Sequence, residues 1–477
     1  MRTSRDRFVR AGSGNPNAAR LRIPDDGTAE GKGTVLTRCL VTGATGYIGS
    51  RLTPVLLAEG HQVRTLVRDP DKLAAVPWRD DVEVVRGDLA DPESLRRAFE
   101  GVDVLYYLVH SMGTASDFAD AERTAAGNVA AAAKEMGVRR IVYLGGLHPS
   151  DAKLSPHLES RTLVGETLMA SGVETVVLQA GVVVGAGSAS FEMIRHLTDR
   201  LPVMTTPKWV HNKIQPIAVS DVLHYLAQSA TAPFPQTRAW DIGGPDVLRY
   251  GDMMQVYADV AGLRPRRILV LPWLTPTIAS WWVGLVTPIP PGLARPLVES
   301  LHCDAICGEH DIDAIIAPPP DGLIGYREAV ERALAQQARG DVEPAWSADP
   351  ADPLPSDPGW SGPHARVATH STAIRTDTTS ALRRVTQGIG PDWRTVPGGP
   401  EGMLVLGARQ PMGQVRLELS TAPGEGGRAA VVHRSVLVPR GLLGQVYATT
   451  VWPFRRRLLH RRISALLALD EPSVKTH

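Results

Sequence analysis

Cysteine is scarce in this chain of 477 residues: three are present, too few for a disulfide framework at this length, and no basic, apolar, small-residue signal opens the sequence. Both absences point to a reducing cytoplasm. An excess of either charge is also lacking, since 51 Lys and Arg meet 50 Asp and Glu for a formal net charge of +1. No global basic field exists to drive counterion release, so nucleic acid is not an expected partner. Long uncharged runs are rare, and the one exception is ILVLPWLTPTIASWWVGLVTP, residues 268 to 288, which is as long as a bilayer span. Pro272 and Pro276 each remove a backbone donor, which lipid would leave uncompensated, so the run reads as a buried pocket wall. With 43% hydrophobic residues the chain can bury a large core, and its length suggests roughly two or three domains.

Residues 1–36 carry scattered Arg, Gly, Asn and Pro without apolar periodicity and read as a disordered leader. From residue 37 the texture changes. RCLVTG, GYIGSRLTPVLLAEG, QVRTLV, VEVVRG, VDVLYYLV, TAAGNVAAAAKEM, RRIVYLGG and ETVVLQAGVVVG alternate strand and helix patterns, as in a Rossmann-type, doubly wound parallel sheet covered on both faces. This α/β domain extends over 37–340 with a substrate-side extension. Six prolines between 344 and 363 block helix and central strand, which makes 341–365 a linker. Beyond it, GMLVLGAR, QVRLELS and AAVVHRSVLV, separated by turn residues and followed by a basic helix, predict a small α+β domain over 366–470.

The strongest chemical signal is TGATGYIG, which joins the first strand to the first helix. Gly43 permits the tight turn, Gly46 lets the backbone approach a pyrophosphate, and Gly49 lets the helix pack on the strand, while the helix N-terminus attracts the anion. Thr45, Tyr47 and Ile48 complete this dinucleotide-binding loop. The second strand ends at Arg68 rather than at a carboxylate, and a guanidinium matches a 2′-phosphate, with Lys72 or Arg64 as assistants. NADP(H) is therefore favoured. Asp69, a turn residue ahead of Pro70, leaves NAD(H) possible. At the end of the third strand Asp88 is placed to accept from an adenine amino group and Leu89 to pack on the ring. Pro54, inside the first helix, should cost a hydrogen bond to Ser50.

In their order, TGATGYIG, LVRDPDKL, GDLADPESL, GVDVLYYLVHSMG, RRIVYLGGL and QPIAVSDV resemble the atypical, extended branch of the short-chain dehydrogenase/reductases. Within it the chain looks most like the NmrA-like proteins and the relatives of the complex I accessory subunit that keeps a nucleotide. RSVLVPRGLLGQVYATTVWPFRRRLL resembles a domain of unknown function often fused to them, which implies a helix-grip fold with a ligand cavity. The resemblance implies hydride transfer between NADPH and an apolar small molecule. It also implies a Ser after the fifth strand and a Tyr-x-x-x-Lys on the next helix, and this set is missing. Gly145 or Gly146 stands at the Ser position, and SPHLESRTLVGE puts His157 and Arg161 at the Tyr and Lys positions. A histidine, whose ordinary pKa lies near 6.5, can act as the general acid, and the arginine can hold the nicotinamide ribose. The degenerate set leaves open a second reading: a redox sensor, regulator or assembly scaffold that keeps NADP(H) without turnover.

Tyr107, His110, Ser111, Tyr143 and His148 are further polar candidates near the expected nicotinamide face. Ser188, Ser190 and Glu192 are candidates for touching a substrate. HCDAICGEHD gathers His302, Cys303, Cys307 and His310, but in no usual zinc spacing, so no metal site is assigned. In RRRLLHRRISALL a solvated basic face over packed Leu458, Leu459 and Ile463 is favoured, with an interfacial helix on a membrane surface as the alternative.

Overall fold

The computed structural model describes residues 37–74, 76–109, 118–149, 154–271, 286–340, 357, 366–374, 377–396, 403–410, 412–423, 429–439 and 441–468. The predicted leader lies outside the described residues, as do the predicted linker apart from Asp357, residues 272–285 of the uncharged run, His110 and Ser111.

Seven strands form one parallel sheet: β1 (Arg38–Thr42), β2 (Gln62–Val67), β3 (Glu83–Arg86), β4 (Val104–Tyr107), β5 (Arg140–Gly146), β6 (Glu174–Ala180) and β7 (Arg238–Ile242). Their spatial order is β7-β6-β5-β4-β1-β2-β3. The chain winds outward from β1 in one direction and then, from β4, in the other. The crevice beyond the carboxyl ends of β1 and β4 is therefore the switch point at which such sheets bind ligands. Helix α1 (Tyr47–Ala58) packs Leu52 and Leu56 against one face, while α2 (Pro92–Phe99), α3 (Phe118–Glu135) and α4 (Pro156–Met169) pack Leu95, Phe99, Val129 and Leu168 against the other. Strands buried on both faces need the near-continuous apolar runs that the sequence shows.

Pro54 remains inside α1 and cannot donate to the Ser50 carbonyl. The buried Trp78 indole Nε1 donates to that carbonyl instead, at 3.0 Å, which replaces the missing helix bond.

A second apolar cluster occupies the predicted substrate-side extension and is built from α5 (Ala189–Arg200), α7 (Tyr250–Val260), α8 (Pro291–Glu299) and α9 (Tyr326–Gly340), whereas α6 (Val219–Gln228) packs into the cluster of the main sheet. Helix α5 is buried almost all round and carries Glu192, Arg195 and His196 inward, which is why its sequence shows little apolar periodicity.

The C-terminal part is an antiparallel sheet of β8 (Arg366–Ala373), β9 (Arg394–Thr395), β10 (Met403–Gln410), β11 (Gly413–Pro423) and β12 (Ala429–Pro439), in the order β8-β12-β11-β10-β9. Helices α10 (Thr378–Gly388) and α12 (Trp452–Ala468) bury Val385, Ile463 and Leu467 against Leu417, Leu419 and Val431, and α11 (Gly441–Thr450) precedes α12. One expectation for α12 needs correction. Leu459 and Ile463 pack inward, but Leu458 lies on the opposite face of the helix and is 65% exposed. No helix among the described residues is long and apolar enough to cross a membrane.

Candidate functional site

The glycine loop is shaped by contacts that no side chain could share. Gly43 has φ +76°, and a Cβ there would sit 2.6 Å from the Leu108 carbonyl oxygen. At Gly49 a Cβ would sit 2.3 Å from the Gly43 carbonyl oxygen, so the residue seats α1 directly on the loop. Gly46 closes the turn by donating to Gly43 O at 2.8 Å and lies at the N-cap of α1, whose first turn holds no acid. The positive end of the helix is thereby left to an anion.

This loop borders a cavity of about 550 Å³ at the switch point. Gly43, Thr45, Gly46, Tyr47 and Ile48 line it from β1 and α1, Arg68 from the end of β2, and Asp88 and Leu89 from the end of β3. Gly49 alone of the expected nucleotide residues lies beneath rather than on the wall. Asp69 accepts from Asp71 N at 3.2 Å and caps a 3-10 turn, which makes it a turn residue. Arg68 projects exposed with no ion pair among the described residues. Arg64 is not an assistant: it is buried in mid-strand, bonded to Glu83 at 2.8 Å and to the carbonyls of Ala98 and Glu100 at 2.7 and 2.9 Å. Lys72 is exposed on the 3-10 turn and outside the cavity wall.

A second cavity, of about 280 Å³, adjoins the first and shares Tyr47, Ile48, Leu144 and Arg161 with it. Its wall is mainly apolar, with Leu147, Val182, Met193, Ile194, Leu197 and Val298 prominent. Few polar groups face it. His157 and Arg161 lie one turn apart on α4, whose N-cap Ser155 accepts from Leu158 N at 3.3 Å, and both line this cavity. Arg161 Nη2 donates to the carbonyl of Leu144. Gly146 admits α4 closely, since a Cβ there would lie 2.8 Å from Leu158 Cδ2.

The alternatives separate clearly. Tyr143 donates its hydroxyl to the Arg161 carbonyl at 3.1 Å and packs edge-on against Tyr107. Burial raises the pKa of both phenols, the opposite of what a neighbouring lysine does for a reactive tyrosine. His148 is held by Thr162 at 3.0 Å and by the Pro149 carbonyl at 3.1 Å, outside the cavities. Ser188 and Ser190 line the apolar cavity, although Ser188 donates to Val183 O at 2.7 Å. Glu192 does not face substrate: it is fully buried among Arg195, Gln337 and the Gly187 amide, where it compensates a buried guanidinium. Among the described residues no three His, Cys, Asp or Glu side chains gather in a way that could hold a metal ion.

Three contributors escape sequence reasoning. Glu122, on the Ala-rich α3, borders the nucleotide cavity and accepts from Ser160 Oγ at 2.6 Å. Trp209 borders the apolar cavity with its indole N–H buried and unbonded. Arg51 is fully buried on α1, stacks 4.1 Å over the Tyr47 ring, donates to Tyr47 O at 3.2 Å, and pairs with Asp357 at 2.6 and 3.0 Å. Nothing in the sequence links two residues 306 positions apart.

Comparison with known proteins bears on the parallel-sheet region. A family model described as NAD(P)H-binding matches residues 43–184. The fold matches the Escherichia coli NADPH-dependent quinone oxidoreductase in complex with NADPH, with a TM-score of 0.51 at 19% identity over 62% of this chain and 99% of that one. Residues 43–184 are thus similar to NAD(P)H-binding domains, and the fold is that of an NAD(P)-binding Rossmann protein. Among similar proteins, a ceramide reductase of Caulobacter vibrioides is 27% identical over 232 residues, 48% of this chain and 72% of that protein. A 3 beta-hydroxysteroid dehydrogenase/Delta 5-->4-isomerase of Mycobacterium tuberculosis is 36% identical over 120 residues, 23% of this chain and 32% of that protein. The chain thus spans only about a third of the steroid enzyme's length. The glycine loop, the strand ends that hold Arg68 and Asp88, and the start of α4 all fall inside the NAD(P)H-binding match.

Proposed function

We propose that the protein is an NADPH-dependent oxidoreductase that acts on an apolar small molecule. The observation that carries this reading is the apolar cavity of about 280 Å³, which opens beside the nucleotide cavity across the shared residues Tyr47, Ile48, Leu144 and Arg161. The cradle fits a dinucleotide: a Cβ on the loop at Gly43 or Gly49 would collide with backbone, and the N-terminus of α1 is free of acid. Bound NADPH supplies hydride to the substrate's electrophilic carbon.

The chain's own residues do the rest. The amides of the glycine loop hold the pyrophosphate, Arg68 forks onto the 2′-phosphate, and Asp88 and Leu89 receive the adenine. Arg161 holds the nicotinamide ribose at the wall between the cavities. His157 delivers the proton to the substrate oxygen. The apolar wall excludes water and favours a substrate with little polar surface. The names of the ceramide reductase and of the hydroxysteroid dehydrogenase both point to lipid-like substrates, which agrees with such a wall.

The test is NADPH oxidation across a panel of apolar aldehydes, ketones and quinones. Turnover is expected, with kcat lowered about 100-fold or more in His157→Ala. An unchanged rate in that variant removes His157 as the donor. NADPH binding without turnover on any substrate supports the second reading, a nucleotide-retaining regulator or scaffold, which the missing Ser-Tyr-Lys set favours.

A further inference from the structure

Residues 366–468 hold fifteen arginines and no lysine against five Asp and Glu, a net charge of +10, although the whole chain carries only +1. The asymmetry is steepest at the end. From residue 441 to 468, α11, Val451 and α12 contain five arginines and no acid. Among the described residues none of these five arginines pairs with a carboxylate, in contrast with the paired arginines of the parallel-sheet region.

The same helices leave large apolar side chains uncovered. Leu443 is 70% exposed, Phe454 66% and Leu458 65%. At 100° per residue, Phe454, Leu458 and Ala465 fall within about 40° of one another on the outer face of α12, opposite the packed Ile463 and Leu467. Arg457 and Arg461 flank this stripe on one side, and Arg455 and Arg462 on the other. Arg455 and Arg462 are steadied from within the domain, by the Tyr447 hydroxyl at 3.0 Å and the Gly388 carbonyl at 2.7 Å.

We propose that the outer face of α12, with the exposed side of α11, docks on an anionic bilayer surface. An apolar stripe framed by arginines suits the boundary between acyl chains and headgroups: Phe454 and Leu458 enter the apolar layer while the guanidiniums reach phosphate. A nucleic-acid surface matches the arginines but leaves the apolar stripe against a polar backbone. A second copy of the chain would bring five more unpaired arginines to the same face. This inference rests on the C-terminal helices and stands apart from the reading of the nucleotide site.

The test is co-sedimentation of the full chain with phosphatidylcholine vesicles, with and without phosphatidylglycerol. About tenfold more bound protein is expected on the anionic vesicles, with the difference shrinking as salt is raised. Two exposed double variants, Phe454→Glu with Leu458→Glu and Arg457→Glu with Arg461→Glu, should each abolish the gain while NADPH affinity stays at the wild-type value. Equal binding to both vesicle types, no binding, or binding unchanged in either variant would overturn the proposal. So would a solution dimer that the Phe454 and Leu458 changes dissociate, which would give the face to a second copy. Tight binding to duplex nucleic acid that ignores those apolar changes would likewise assign it elsewhere.

Discussion

The two sheets of this protein differ in what their most buried ionisable groups are, although Glu418 on the antiparallel sheet also pairs with Arg434 at 2.8 Å. Around the parallel sheet, buried guanidiniums stay charged and are matched by carboxylates: Arg51 with Asp357, Arg195 with Glu192, and Arg140 with Glu174 at 2.8 Å. On the antiparallel sheet the innermost polar groups are His433 and His460, which shed charge instead. His460 Nδ1 lies 2.8 Å from His433 Nδ1, Ser435 bonds His460 at 2.9 Å and Thr372 bonds His433 at 3.0 Å. Burial first, then the neighbouring His370, holds both rings down to a pKa of about 4, with His433 and Arg456 adding to the effect at His460. Paired charges tolerate acid until the carboxylates protonate, whereas neutral histidines in a dry site fail as soon as protons compete for them. The two regions should therefore break under different insults.

The largest effect is expected at the parallel sheet. Asp357→Ala leaves Arg51 buried without its carboxylate and should cost about 3 to 5 kcal/mol, read as a lower denaturant midpoint. Changing both partners, Arg51→Met with Asp357→Leu, should recover most of that loss, because a buried pair is costly mainly when halved. Failure of the double change to recover stability would mean that the pair does more than neutralise itself.

Acid should strike the other sheet. The folded pKa of each histidine lies below the ordinary 6.5, so the unfolded chain binds protons first; the stabilisation is full above pH 6.5 and is lost as pH falls from there towards about 4. At pH 5 each of the two histidines should have forfeited about 2 kcal/mol of stabilisation. Hydrogen exchange of β8 and β12 should accelerate while β1 and β4 hold, and His460→Gln should flatten the pH dependence. Equal acceleration in both sheets would erase the contrast. The smallest effect concerns a neutral group: Trp78→Phe strands the Ser50 carbonyl and should cost about 1 to 2 kcal/mol by thermal unfolding, with Pro54→Ala in the same chain restoring it.

How much of this could be read from the sequence follows from the kind of constraint at each residue. Gly43 and Gly49 are legible because a left-handed φ at the first and backbone approaches below contact distance at both bar a Cβ, Gly46 because a Cβ there would crowd the Gly43 carbonyl, and the alternating apolar runs because both faces of the parallel sheet are covered. Arg68 stands out because it ends a strand. Arg64 misleads because charge alone suggests a phosphate partner, yet it lies four residues, about 13 Å, back along an extended strand and is held by Glu83. The strand RVATHSTA escapes notice since its His370 and Thr372 belong to a polar cluster and offer no apolar alternation. The Arg51–Asp357 pair is hidden by distance in sequence, as is the role of Glu122 by its place in an alanine-rich helix.

On the proposed reading, the crevice beyond β1 and β4 holds NADPH and selects it through Arg68. Calorimetric titration of the full chain with NADPH and with NADH, repeated on Arg68→Ala, tests it most directly. NADPH is expected to bind more tightly than NADH, and the variant to lose about 10- to 100-fold of its NADPH affinity while NADH affinity barely moves. No binding of either nucleotide, or equal weakening of both in the variant, would contradict it.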